Sequence, residues 1–246
     1  KTNCPALCTF YYIKKRGLSL ARNFAIRKST GEYLVFLDDD AKINENFLDV
    51  LSKNISISNA RAFCCRDTDP IKSRLYAGPF IKNYAISLNH FQYIYFAGYA
   101  HILKKSILDE IGLYDENFGV GAKYPATEES DIFFRLKQRK EEIVYLSKLV
   151  VSHPLADITP EAKRFNYSYA MGALFIKHMF LDRKHAYIYF FIISDILLKS
   201  FIRSLQSIFF PRSIEAKNLI FRPRSVLRGA LKGIYVYIIN LFLKKR

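Results

Sequence analysis

Cysteine is scarce in this sequence: Cys4, Cys8, Cys64 and Cys65 are the only four among 246 residues. With no later pair to complete them they form neither a zinc-type pattern nor a disulfide framework, and a reduced cytosol is the expected home. Low-complexity tracts and fibrous repeats are missing as well. The stretch from Lys1 to Phe10 has no basic segment followed by a long apolar run and no small-residue cleavage site, so no secretion leader is expected. An uninterrupted bilayer-length apolar run is also absent. Ala186 to Phe210 has the length but carries Asp195, Lys199, Arg203 and Gln206, and Gly233 to Leu243 is too short.

What is present points to a folded protein with an anionic partner. Half of the residues are hydrophobic and 15% are aromatic, which excludes a disordered polar chain. The net charge is +16 at a pI near 9.6, so nucleic acid, anionic lipid or a phosphorylated substrate is implied. Most of that charge is C-terminal: residues 161–246 carry +12 and residues 1–160 only +4.

Local patterns read as an α/β layout. Leu20, Ala21, Phe24 and Ala25 recur at helical spacing after Gly17, and Gly31 is placed to end that helix in a left-handed conformation. Tyr33 to Leu37 predicts a strand buried in the middle of a sheet, closing on Asp38, Asp39 and Asp40, after which Asn44 caps a second helix. Ser106 to Ile111 predicts a short helix ended by Gly112. A glycine-bearing loop, Gly119 to Thr127, leads into Glu128, Glu129, Ser130 and Asp131 at the start of another helix, where the helix dipole favours carboxylates. The β-rich run Ile143 to Val151 ends at His153 and Pro154.

Ligands of open α/β sheets bind beyond the carboxyl ends of strands, where the aspartate triplet falls. Three adjacent carboxylates repel one another, and a hard divalent ion bridging them to diphosphate oxygens is the natural counter-charge; a solvated turn that caps the next helix is the plainer reading. Carboxylates held together at Glu128, Glu129 and Asp131 raise one another's pKa, which suits one of them to take a proton from a hydroxyl; ordinary helix N-terminal charge is the alternative. His153 either completes a metal shell or is a hydrogen-bonded structural histidine.

Gly-Leu-Ser-Leu-Ala-Arg-Asn-Phe-Ala-Ile followed by Thr-Gly-Glu-Tyr-Leu-Val-Phe-Leu-Asp-Asp-Asp resembles the donor-site signature of family 2 glycosyltransferases with a GT-A fold. The later Gly-Leu-Tyr-Asp-Glu-Asn-Phe-Gly and Glu-Glu-Ser-Asp-Ile-Phe-Phe-Arg-Leu resemble that family's acceptor loop and acidic catalytic motif. The resemblance implies that Arg22, Asn23, Asp38 and Asp39 serve the donor, that Asp40 with Asp38 and His153 holds Mn²⁺ or Mg²⁺, and that Glu129, with Glu128 and Asp131 as alternatives, is the base. It also implies a strand, an acidic residue and a helix holding the nucleotide base ahead of the donor helix. Only 16 residues precede Gly17, so a fragment, or a chain that has lost much of that pocket, is expected.

The sequence thus predicts a GT-A-like α/β domain with a mixed sheet to about residue 160, then a basic, amphipathic helical membrane-associating region over 161–246. The implied activity is inverting transfer of a sugar from a nucleotide diphosphate sugar to a hydroxyl of a glycan or lipid-linked acceptor, a precursor of bacterial surface polysaccharide. The implied location is the inner face of the cell membrane, bound peripherally to anionic lipid. A non-catalytic membrane scaffold of the same fold is the rival reading. A basic nucleic-acid-binding module is the weaker one, because two acidic motifs would repel a phosphate backbone, and no nucleic acid is expected as a partner.

Overall fold

The computed structural model describes residues 8–68, 85–96, 100–154, 161–209 and 223–243. In chain order the elements are α1 (Leu18–Lys28), β1 (Tyr33–Leu37), β2 (Lys42–Ile43), α2 (Phe47–Ile57), β3 (Ala62–Thr68) and β4 (Ala85–Ser87), then a 3-10 turn (His90–Tyr95). After it come β5 (Ala100–Lys104), α3 (Lys105–Ile111), α4 (Glu128–Gln138), β6 (Ile143–Ser152), α5 (Glu161–Leu181), α6 (Ala186–Phe209) and α7 (Pro223–Leu243).

The strands form one mixed sheet in the order β1-β5-β3-β6-β2, with β4 also on β6. Among the described strands only β3 and β6 run parallel, and the other pairs are antiparallel. The core lies on both faces of it. One face meets α2 through Phe47 and Leu51, packed with Phe63, Ile102 and Leu149. The other meets α3, α4 and α5 through Ile107, Phe133, Phe134, Leu174 and Phe175. Fully buried Phe side chains of this kind contribute roughly 1.5–3 kcal/mol each, and ring pairs such as Phe134–Phe175 fix their mutual angles.

Several local expectations hold. The helix over Lys105–Ile111 ends at Gly112, whose φ of 83° only glycine adopts without strain. Others need correction. The first helix ends on Ser29 in an extended conformation, and Gly31 is not left-handed. Strand β1 lies at the end of the described sheet, paired with β5 alone, so Val35 and Leu37 are exposed. The buried face of α1 is Ser19, Arg22, Asn23 and Ile26; Ala21 and Ala25 point to solvent.

Residue 160 is a change of composition across which the core continues. Ala170, Ala173, Leu174 and Phe175 of α5, and Ile188, Tyr189, Ile192 and Ile193 of α6, share one cluster with Leu103 of the sheet. The opposite face of α6 is apolar and exposed at Tyr187, Phe190, Phe191, Leu198, Phe201 and Ile202, as α7 is at Leu231, Tyr235, Phe242 and Leu243. Beginning at Pro223, α7 is longer than the apolar stretch suggested. Arg183–Ile202 and Ser225–Leu243 are both long and apolar enough to cross a membrane, and each is under one-third buried. Arg212, Lys217, Arg222 and Cys4 lie outside the described residues, and for Arg203 and Arg224 only the helical backbone is described.

Candidate active site

The site is assembled where α1, the end of β1 and the start of α4 meet. The inward face of α1 is polar because its partners are loop backbone: Ser19 donates to the Phe118 carbonyl at 2.5 Å. Asn23 donates to the Tyr114 carbonyl and accepts from the Tyr114 N–H, both at 2.9 Å. These bonds hold residues 114–118 against α1. Gly119 then turns with φ 105°, and a Cβ there would lie 2.9 Å from Ser19 Oγ and 3.2 Å from a Glu128 oxygen. Only glycine lets the loop pass so close to the α4 carboxylates.

Arg22 is the electrostatic centre. Buried above the Tyr114 ring, its guanidinium donates to Glu128 at 2.8 Å and to Asp38 at 3.3 Å. It therefore ties the strand end to the helix start, a fork geometry that lysine lacks. Burial raises the Asp38 carboxyl above its ordinary range, with Arg22 and His153 opposing. Glu129, next to Glu128 on α4, keeps some contact with solvent. Burial and then the Glu128 charge hold the Glu129 carboxyl well above the usual carboxylate range, the condition under which a carboxylate serves as a base near neutrality. Thr127, immediately before, takes a left-handed conformation at φ 68°, rare for a β-branched residue.

A cavity of about 250 Å³ opens here, walled by Arg22, Asp38, Thr127, Glu128, Glu129 and Ser130 on its polar side. Asp38 also belongs to a second group: one ligand atom each from Asp38, Asp40 and His153 lie within 4.8 Å of one another. His153 Nε2 stands 3.1 Å from Asp40 Oδ1, placed by its own N–H donating to the Thr68 carbonyl at the end of parallel strand β3. Two carboxylates and an imidazole converging from two strand ends form a donor set that fits a divalent ion such as Mn²⁺ or Mg²⁺.

The structure places some expected residues elsewhere. Asn23 does not line the cavity, since its amide is engaged by Tyr114 and by Glu116 at 3.2 Å. Asp39 is exposed, outside both the cavity lining and the ligand group. Asp131 is fully buried and points into the core. Its Oδ1 accepts from His178 Nε2 at 2.9 Å and sits 2.6 Å from Lys177 Nζ, while Arg135 lies 2.9 Å from Oδ2. Burial alone would raise its pKa, but His178, Lys177 and Arg135 more than offset this and hold it far below the usual range. A carboxylate so bound is a poor proton acceptor. Gln138 donates to His178 Nδ1 at 2.8 Å, which leaves Nε2 as the nitrogen that donates to Asp131.

Sequence reasoning missed Tyr114 under Arg22, and Lys177 and His178. Lys177 also holds Asp115 at 2.8 Å, so α5 grips the loop and α4 together. A lysine and a histidine side by side in the apolar second half of α5 were the available signal.

Residues 6–112 match the model of Glycosyl transferase family 2. Over that span the chain is similar to the family 2 glycosyltransferases. None of the curated proteins matches it. Among solved structures, the mannosyltransferase PcManGT from Pyrobaculum calidifontis, in complex with GDP-Man and Mn²⁺, has a TM-score of 0.54 at 15% identity, over 94% of this chain and 68% of that one. TarS 1-349 from S. aureus has a TM-score of 0.57 at 13% identity, over 94% of this chain and 72% of its own. At such identities the likeness is one of fold, the GT-A glycosyltransferase fold. The comparisons thus give a match to the family model over residues 6–112 and a likeness of fold over most of the chain.

Proposed function

We propose that the chain transfers a sugar with inversion from a nucleotide diphosphate sugar to a hydroxyl of a lipid-linked glycan precursor of surface polysaccharide. The observation that carries this reading is the double membership of Asp38, which belongs to the Asp40–His153 ligand group and to the wall of the cavity that Glu128 and Glu129 line. Glu129 takes the proton of the acceptor hydroxyl. The freed oxygen forms its bond to the anomeric carbon as the bond from that carbon to the diphosphate breaks, and the electron pair leaves with the nucleoside diphosphate. Attack and departure occur on opposite faces, hence inversion. A divalent ion held by Asp38, Asp40 and His153 would supply neutralising charge for the diphosphate. Arg22 fixes the spacing between the two carboxylate groups. Asp131 orients α4 rather than moving a proton.

Metal dependence has a direct test. Titration of UDP or GDP with Mn²⁺, followed by calorimetry, is expected to show at least tenfold weaker binding for Asp40→Asn and an unchanged constant for Asp49→Asn, which is exposed on α2. Equal effects of the two would remove Asp40 from the site.

We also propose that α6 and α7 seat the enzyme on the cytoplasmic face of the membrane. The exposed Phe190, Phe191, Phe201, Tyr235 and Phe242, with Lys199, Arg228 and Lys232 exposed beside them, support it. Each basic residue near an anionic surface contributes roughly 1 kcal/mol, screened by salt. The triple change Phe190→Ser, Phe191→Ser and Phe201→Ser is expected to reduce co-sedimentation with anionic vesicles at least tenfold and to leave the thermal midpoint within a few degrees. A wild-type chain that stays in the supernatant with anionic vesicles at low salt rejects the seating.

A further inference from the structure

Two histidines distant in sequence meet outside the cavity lining and outside the Asp38–Asp40–His153 group. His90 opens the 3-10 turn His90–Tyr95, and His185 closes a second one, Arg183–His185, between α5 and α6. Their ring centres lie 5.7 Å apart with the planes inclined by 32°. Each ring stands on a locked turn. The Asn89 side chain accepts from the Phe91 N–H at 3.0 Å, and the Gln92 side chain accepts from the Asn89 N–H at 2.9 Å, which closes that cap in both directions. At the other turn Asp182 accepts from the His185 N–H at 3.3 Å, from His185 Nδ1 at 3.0 Å and from the Tyr189 hydroxyl at 3.1 Å. His185 is thereby left with Nε2 for a ligand. His90 Nε2 is buried and has no hydrogen-bond partner among the described residues. A buried ring nitrogen in that condition is the kind of group that an ion or ligand satisfies.

We propose that His90 and His185 bind one Zn²⁺ between them, with water in its remaining positions. An imidazole nitrogen lies about 2.0–2.1 Å from a bound zinc, which puts the centres of two rings on one tetrahedral ion roughly 5–6 Å apart. The observed separation falls within that range. Asp182 supplies what such a site needs behind its ligands: a carboxylate that accepts from Nδ1 fixes the tautomer, orients the ring and makes Nε2 a better donor to a metal. Burial, and then the charges of Lys137 and His185, hold the His90 imidazole below its ordinary range against Asp182, which keeps it in the neutral form that metals bind. Lys137 itself donates to the Leu88 carbonyl at 2.9 Å. With Asp182 engaged on Nδ1, the direct donors are imidazole nitrogens, which favour zinc over the Mn²⁺ or Mg²⁺ that suit Asp38 and Asp40. The ion is a clip. The first turn carries Tyr93 and Ile94 into the cavity wall, beside Tyr167 and Met171 of α5, and the second leads directly into α6. Zinc therefore fixes the cavity wall to the foot of the helix that exposes Phe190 and Phe191, whether or not the chain transfers a sugar.

Other places that take zinc are removed first, by Cys4→Ser, Cys8→Ser and Asp40→Asn in the full chain, purified without a histidine tag. This protein is titrated with Zn²⁺ against a chromophoric chelator at neutral pH, alone and with Mn²⁺ in excess. One Zn²⁺ per chain is expected, undisturbed by Mn²⁺, and the melting midpoint should rise with zinc, as binding to the folded state alone requires. His90→Gln and His185→Gln should each weaken binding at least tenfold and cancel that rise. Asp182→Asn should weaken it roughly 10–100-fold by removing the carboxylate behind Nδ1. X-ray absorption of the zinc-loaded protein, which needs no change at the pair and so covers a variant that does not fold, should show two imidazoles around the ion. Absence of zinc binding in this background, binding unchanged by both histidine substitutions, or fewer than two imidazoles around the ion overturns the site.

Discussion

Glu129→Gln is expected to lower turnover by roughly two to four orders of magnitude while leaving donor binding nearly intact, the scale for loss of a general base. The measurement is release of nucleoside diphosphate from the donor sugar nucleotide, beside a calorimetric constant for the nucleotide with Mn²⁺. Shape is preserved by the amide, so any loss reports the missing proton acceptor. Stability distinguishes this loss from misfolding. The folded Glu129 carboxyl is raised, by burial and then by Glu128, so it binds its proton more tightly in the folded chain than in the unfolded one. Its contribution to stability is therefore present below the ordinary glutamate pKa and lost as pH rises through the folded value. At neutral pH the amide removes an unfavourable buried charge. Glu129→Gln should melt no lower than the wild type there, and the two should converge in acid. The rate of the wild type should fall on acidification through that same raised pKa. Asp131→Asn is expected to do the reverse at neutral pH, destabilising the fold because Lys177 and Arg135 lose their buried counter-charge. A larger turnover loss for Asp131→Asn with donor binding and melting preserved would move the base to that residue.

The contrast between these two carboxylates also shows how far the sequence was legible. Features set within a few residues could be read directly: β1, the glycine-capped α3, the acidic opening of α4, and the β-rich run that ends at His153. Each depends on propensity, a cap or a strand period. What was not legible depends on partners far along the chain. Asp131 looked like its neighbours Glu128 and Glu129, and its partners on α5, Lys177 and His178, the latter 47 residues away, join Arg135 in turning it into a structural anion. The face of α1 was misjudged because hydrophobic spacing assumes an apolar neighbour. Here the neighbour is the backbone of residues 114–118, so Ser19 and Asn23 face inward and Ala21 and Ala25 outward. Met171 and Tyr167 were hidden for a related reason: the shift toward basic, aromatic helices after residue 160 reads as a membrane region, yet α5 contributes to both the core and the cavity.

Gly233→Val tests how that helical region is held, and it is the substitution with the largest expected cost in stability. Helices α5 and α7 touch backbone to backbone through small residues, as closely crossing helices require. A Cβ at Gly233 would stand 1.9 Å from the Tyr169 carbonyl oxygen, and one at Gly172 would stand 2.2 Å from that of Ala230. No rotamer relieves such a contact, because Cβ is fixed by the backbone and the atom it meets is backbone too. The helices must separate by about 1 Å or more to restore ordinary packing distances. That opens the seam beside the tilted ring contacts of Tyr124 with Tyr169 and Tyr237, and overpacking on this scale costs about 3 kcal/mol. For a chain of this length the thermal midpoint should fall by roughly 6–12 °C. The displacement should also reach the site, since α5 carries Lys177 and His178, which anchor the α4 carboxylate, and Tyr167 and Met171 of the cavity wall. Gly31→Ala is the matched control: its Cβ meets one carbonyl oxygen at 3.3 Å in an ordinary conformation, and a change within about 0.5 kcal/mol is expected at such an exposed position. If Gly233→Val melts with the wild type, α7 does not rest on α5 in solution, and the apolar helices owe their placement to the membrane instead.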